Sequence, residues 1–135
     1  MAREEKLQSD IAIKFSQLYP EKSGQLFHIS NERNNVIQAY KARSIGIIPG
    51  VADFLFFSKK FNVATELKQP GSRHEVSRIM KQLEWAKVWE REGNIWRLCC
   101  TVDEAISCYE GNFKGKTRKE VKELVKQVKT KTIKF

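Results

Sequence analysis

The sequence has no apolar run approaching the about 18 residues that a membrane-spanning helix needs. It has no disulfide framework either. Its three cysteines, Cys99, Cys100 and Cys108, are odd in number, and two are adjacent within an apolar stretch. That spacing does not suit a zinc site. Buried free thiols are expected, because an unpaired cysteine packs as a small apolar residue. Histidine is scarce. His28 and His74 stand alone, the first read as a strand residue and the second as an exposed first-turn residue. No signal-peptide pattern opens the chain, so a cytoplasmic setting, in a cell or an infected host, is expected. Internal repeats and low-complexity linkers are also missing. A chain of 135 residues then reads as one compact domain with room for a hydrophobic core.

Charge is abundant and unevenly placed. The net charge is +9, and most of it lies between Gly111 and Phe135. Lysines 114, 116, 119, 122, 126, 129, 131 and 134 fall there with Arg118, against only Glu120 and Glu123. A cationic tail on a near-neutral body points to a polyanionic partner, nucleic acid before membrane, or to a solvated tail. The tail, 111–135, is therefore set apart from a body, 1–110.

Periodicity divides the body. Leu7, Ile11, Phe15 and Leu18 recur at helical spacing, which predicts a helix over 3–19 ended by Pro20. Residues 25–30 read as a short strand, and a short helix is expected around Ala39, Tyr40 and Ala42. Phe54–Phe57 and Phe61–Leu67 read as an antiparallel hairpin across Ser58-Lys59-Lys60. Ser72-Arg73-His74-Glu75 has the pattern of a capping box. Behind it a long helix carries Val76, Ile79, Met80, Leu83 and Ala86 on one stripe, with Gly93 at its end. Residues 95–100 read as a strand in the centre of a sheet. Thr101–Glu104 and Thr117–Glu120 repeat the capping pattern ahead of two further helices. The last of these buries Val121, Leu124, Val125 and Val128 on one side and turns its lysines outward. Trp85, Trp89 and Trp96 read as core. The tail stripe and the Trp85, Val88, Trp89 side of the long helix are the two apolar surfaces available to a partner.

The chemistry concentrates in the hairpin. Paired about Lys59 and Lys60, residues whose numbers sum to 119 face each other. Asp53 then opposes Glu66, and a loop running from Ser58 to Phe61 keeps the same register. Directly opposed side chains share one face at Cβ separations of roughly 4.5–5.5 Å. Lys68 joins that face two residues on. Phe61, Val63, Thr65 and Leu67 point the other way, into the core. Two carboxylates so close repel, and two arrangements relieve them. Either a hard divalent cation binds both, polarises a phosphate and acidifies a water, or Lys68 simply neutralises the pair.

Gly50-Val51-Ala52-Asp53 followed by Glu66-Leu67-Lys68 resembles the D…ExK signature of the PD-(D/E)xK nucleases. The wider pattern is similar to their VRR-NUC (virus-type replication-repair nuclease) branch. It includes Glu4 with Leu7-Gln8, the Gly46…Pro49-Gly50 turn, Gln82 ahead of Gly93, and Thr101–Ala105. The resemblance covers about residues 4 to 106. It implies an α/β restriction-endonuclease-like core, with a mixed sheet flanked by the first and the long helix. It implies Asp53, Glu66 and the Leu67 carbonyl as ligands of Mg²⁺ or Mn²⁺, with Glu4 rather than Glu5 completing or supporting the shell. Lys68 would be the catalytic lysine, and Gln82 would project into the site beside it. Ala52 departs from the family's usual proline, which carries no chemistry.

The expected function is a metal-dependent DNA endonuclease. The resemblance further implies a homodimer, as in small phage-encoded members, that acts on branched DNA such as Holliday junctions in replication, repair or recombination. Arg33, Lys41, Arg43 and Arg73 flank the site as candidate phosphate contacts. Lys119, Lys122 and Lys126 are candidates on the tail. A catalytically silent nucleic-acid-binding module and an RNase are the alternatives, and the intact Asp53, Glu66, Lys68 set argues against the first.

Overall fold

The computed structural model of the chain describes residues 3–29, 41, 43–46 and 48–135. The expected helix around Ala39, Tyr40 and Ala42 lies outside the described residues, as does Arg33.

Helix α1 (Arg3–Leu18) opens with Glu4 and Glu5 in its first turn, where carboxylates complement the helix dipole. Leu7, Ile11 and Phe15, spaced four apart, are its buried face. Pro20 lacks the amide hydrogen to continue it and opens a short 3-10 turn at Pro20–Lys22. Strands β1 (Leu26–His28), β2 (Phe54–Phe57) and β3 (Asn62–Leu67) follow, then β4 (His74–Glu75). Helix α2 (Val76–Arg91) leads to β5 (Ile95–Cys99) and α3 (Val102–Tyr109). Helix α4 (Arg118–Gln127) and strand β6 (Thr132–Ile133) complete the order.

Among the described residues the main sheet runs β1-β2-β3-β5, and β4 pairs with β6 apart from it. The sheet is mixed. β1, β2 and β3 are antiparallel neighbours, whereas β5 runs parallel to β3 after the crossover through α2. The hairpin register is the expected one: Phe57 faces Asn62, Phe56 faces Val63 and Phe54 faces Thr65. Ser58 closes the loop, its amide and hydroxyl both donating to the Phe61 carbonyl.

Residues 95–99 do not form a central strand. Among the described residues β5 is the sheet's last strand, and only a single bridge from Leu98 to Lys116 extends beyond it. Its apolar character comes from helices on both faces, which periodicity does not distinguish from a central position.

Each face of the sheet has its own core. On one, Leu7, Ile11 and Phe15 of α1 meet Phe54, Phe56, Val63, Leu67 and Tyr109. The Phe15 ring stands edge-on to Phe56 at 5.9 Å and to Tyr109 at 5.7 Å, a favoured aromatic geometry. On the other face, Ile79, Leu83 and Ala86 of α2 meet Ala52, Ala64, Trp96 and Leu98, with Val121 and Ile133 from the tail. Small residues let α2 lie close. Gly50, at φ +87°, is the extreme case: a Cβ there would stand 2.5 Å from the Lys81 carbonyl oxygen.

Two expectations about surfaces are corrected. The tail stripe is not free: Val121 is fully buried, and Leu124, Val125 and Val128 pack against the α2 core. Nor is the tryptophan side of α2 an open partner surface. Trp85 and Trp89 stack at 5.4 Å and pack on that core, and Trp89 Nε1 donates to the Ile95 carbonyl at 2.7 Å. Only Val88 of that trio is exposed.

The capping expectations divide. Thr117 and Glu120 form a complete box at α4. Thr101 caps α3 through the Glu104 amide, but the Glu104 carboxylate accepts from Cys100 instead of closing the box. Ser72–Glu75 is no box at all. His74 and Glu75 are paired in β4, and α2 starts at Val76 without a side-chain cap. The pairing of β4 with the distant C-terminus, His74 opposite Ile133, displaces the local signal.

Candidate active site

The hairpin register decides which side chains meet. Beyond the last ladder pair, Phe54 with Thr65, Asp53 lies where it faces Glu66. Asp53 Oδ2 accepts the Leu67 amide hydrogen at 2.7 Å, which locks this carboxylate onto the end of β3. Glu66 and Lys68 are only 3% and 5% exposed, unusually deep for charged residues. Lys68 Nζ stands 3.3 Å from Glu66 Oε1. The other oxygen, Glu66 Oε2, is buried without a hydrogen-bond partner among the described residues.

Burial pushes the Asp53 carboxyl above its ordinary pKa, against the Leu67 amide and Lys68, which favour the charged form. Glu4 pushes in the same direction as burial. Glu66 is raised well above the carboxylate range, first by burial and then by the negative charge of Asp53. One lysine thus faces two buried carboxylates. Partial neutralisation of that kind is costly unless a further positive group completes it.

Alternation places Ala64 and Glu66 on the face that α2 covers. On α2, Gln82 sits in the buried stripe with Ile79, Leu83 and Ala86. Its backbone amide lies against Gly50, three residues before Asp53. Its Oε1 is buried without a partner among the described residues. Two orphaned acceptors, on Glu66 and Gln82, therefore occur on the surfaces that α2 and β3 turn toward each other.

Glu4 is set further out. Its side chain is 45% exposed, and its Oε1 lies 3.7 Å from Nδ1 of His74. Among the described residues no three of His, Cys, Asp and Glu converge closely enough to enclose a metal ion together. The close pair is Asp53 with Glu66, and Glu4 acts on Asp53 by charge.

His74 is not the exposed first-turn residue expected from the sequence. It lies on β4 with its side chain 12% exposed, and Nε2 stands 3.3 Å from the Gln69 carbonyl oxygen. His28 is the strand residue expected, on β1, with Nδ1 2.8 Å from the Asp53 carbonyl oxygen. Both histidines thus border the site, and no local pattern marks them, because strand pairing brings them there. Arg73 Nη1 reaches Thr132 Oγ1 at 3.3 Å. Lys41 and Arg43 are exposed. Lys119, Lys122 and Lys126 line the outer side of α4, the last 3.4 Å from Glu123. Cys99 and Cys108 are buried free thiols and Cys100 is half-buried. Among the described residues no helix is long and apolar enough to cross a membrane.

Comparison with known proteins adds little. No protein-family model matches the chain, and no solved structure matches it. Cyclin-L2 of Mus musculus is 38% identical to it over 72 residues, which is 51% of this chain. The chain spans only 14% of that protein's length, so the likeness assigns neither family nor activity.

Proposed function

We propose that the chain is a metal-dependent endonuclease of the PD-(D/E)xK type, built on a restriction-endonuclease-like core, that hydrolyses phosphodiester bonds in DNA. The observation that carries this reading is the buried pair Asp53 and Glu66, with Glu66 Oε2 unsatisfied among the described residues and Lys68 alongside. Surface ion pairs need no such burial, whereas a cation site does. Asp53, Glu66 and the Leu67 carbonyl supply hard oxygen donors of the kind that Mg²⁺ and Mn²⁺ take. When bound, the ion supplies Lewis acidity toward the scissile phosphate.

The protein's own groups do the rest. Leu67 N–H holds Asp53 in place by its 2.7 Å hydrogen bond. Burial of Lys68 keeps an ammonium beside the carboxylates, where it orients water and steadies charge on the phosphate. Gln82 offers an unused buried amide on the opposite wall for the same water or phosphate. The lysines of α4, folded onto the body, with Lys41 and Arg43, give the polyanion a basic approach. Branched DNA is the substrate class that suits a small enzyme acting as a homodimer, since a two-fold pair fixes two sites at one separation. Three free thiols suit a reducing, cytoplasmic setting.

The test is a cleavage panel. Labelled duplex, single-stranded, flap and four-way-junction DNA, and matched RNA, are incubated with and without Mg²⁺, with light scattering run in parallel. Mg²⁺-dependent cutting of DNA, fastest on the junction and by a dimer, is the expected result. Binding without cutting would indicate a silent nucleic-acid-binding module, and cutting of RNA alone an RNase.

A further inference from the structure

We propose that His74 is a positioning residue for Glu4, and that the C-terminal strand holds His74 in that role. The inference rests on the nuclease reading for its consequence, cation capture at Asp53 and Glu66. Its geometry is independent of that reading.

The imidazole bridges two parts of the site. Nδ1 faces Glu4 in the first turn of α1 at 3.7 Å, and Nε2 faces the Gln69 carbonyl at 3.3 Å, one residue after Lys68. The C-terminus fixes the ring from behind. The ladder sets His74 opposite Ile133, which is 6% exposed. The Phe135 ring lies 6.0 Å from the imidazole. The Gly71 amide donates to the Phe135 carbonyl at 3.3 Å, and the Val76 amide to that of Lys131 at 2.9 Å. Both ends of the segment carrying His74 are thereby tied to the last five residues.

Glu4 needs such a partner. A half-exposed glutamate at a helix start is free to turn into water and scatter among rotamers. Its charge nonetheless acts on Asp53. Held toward the site, it adds negative potential at the mouth and strengthens the capture of a divalent cation. Groups that orient a ligand from outside its shell commonly carry such effects.

Calorimetric titration of the full chain with Mn²⁺ tests this. His74→Ala should weaken Mn²⁺ binding by roughly tenfold, and His74→Asn, which keeps an amide donor near the Nδ1 position, should restore most of it. Glu4→Gln should weaken binding to a similar degree, and His74→Ala added to Glu4→Gln should cost nothing more. Phe135→Ala, which leaves both residues in place, should give a smaller loss that also vanishes in the Glu4→Gln background, and it serves if His74→Ala does not fold. Wild-type affinity in His74→Ala, or an equal loss with and without Glu4, would overturn the inference alone. A wild-type chain that binds no Mn²⁺ would overturn the nuclease reading and this inference with it.

Discussion

A chain carrying Asp53→Asn and Glu66→Gln is expected to lose Mg²⁺-dependent cleavage entirely while melting at a higher temperature than wild type when no divalent cation is present. Both effects have one cause. The two buried carboxylates share a single lysine, and burial disfavours the charge on each. Amides keep the shape and remove the charge, so repulsion goes and so does the cation's attachment. Each kcal/mol relieved should raise the melting temperature by roughly 2–8 °C in a domain of this size. Excess Mg²⁺ should raise the melting temperature of wild type and leave that of the double variant unchanged. Wild-type cleavage in the double variant would place the chemistry elsewhere. Lys68→Ala should slow turnover by about 10²–10³-fold, the range for losing one stabilising donor.

The same carboxyls set the pH dependence of stability without metal. Their folded-state pKa values lie above the unfolded ones, so the folded protein holds protons that the unfolded chain releases. Their destabilising contribution is absent below the unfolded carboxylate pKa of about 4. It grows as pH rises through the elevated folded values. Melting curves of wild type should therefore fall with pH across that window. The double variant should lack this component, and equal slopes in the two proteins would show that the pair is not charged in the folded state.

Removing residues 114–135 is expected to unfold the protein rather than merely weaken its hold on DNA. Fully burying an aliphatic side chain contributes about 1.5–3 kcal/mol. The tail contributes Val121 and Ile133 buried, with Leu124, Val125, Val128 and Phe135 packed against them. Their sum approaches the whole net stability of a typical domain, about 5–15 kcal/mol. Circular dichroism and a thermal melt decide the matter, and a truncated chain with a sharp wild-type transition would show the tail to be dispensable. The electrostatic role is tested without touching the core. Changing Lys119, Lys122 and Lys126 to Gln should preserve the fold and reduce the slope of log K against log salt by ~0.9 for each duplex phosphate left without its lysine. An unchanged slope would remove α4 from the DNA path.

Local order alone determined much of this protein. Helical spacing marked α1, α2 and α4, because an amphipathic stripe is written into consecutive residues. The hairpin register followed from a short loop, and with it the opposition of Asp53 and Glu66. Tertiary structure decided what depends on partners far along the chain. Glu66 and Lys68 are deeply buried because α2 closes over a face that alternation alone leaves open to water. β5 is an edge strand that looks central because both its faces are covered. Ser72–Glu75 has the letters of a capping box, yet pairing with the last residues of the chain makes it a strand. That same pairing turns an isolated histidine toward Glu4 and makes a basic tail part of the core. The physical reason is common to all of these. Periodicity reports which side of an element is apolar, whereas the identity of what covers that side is a contact between distant segments, and one local pattern is compatible with several such contacts.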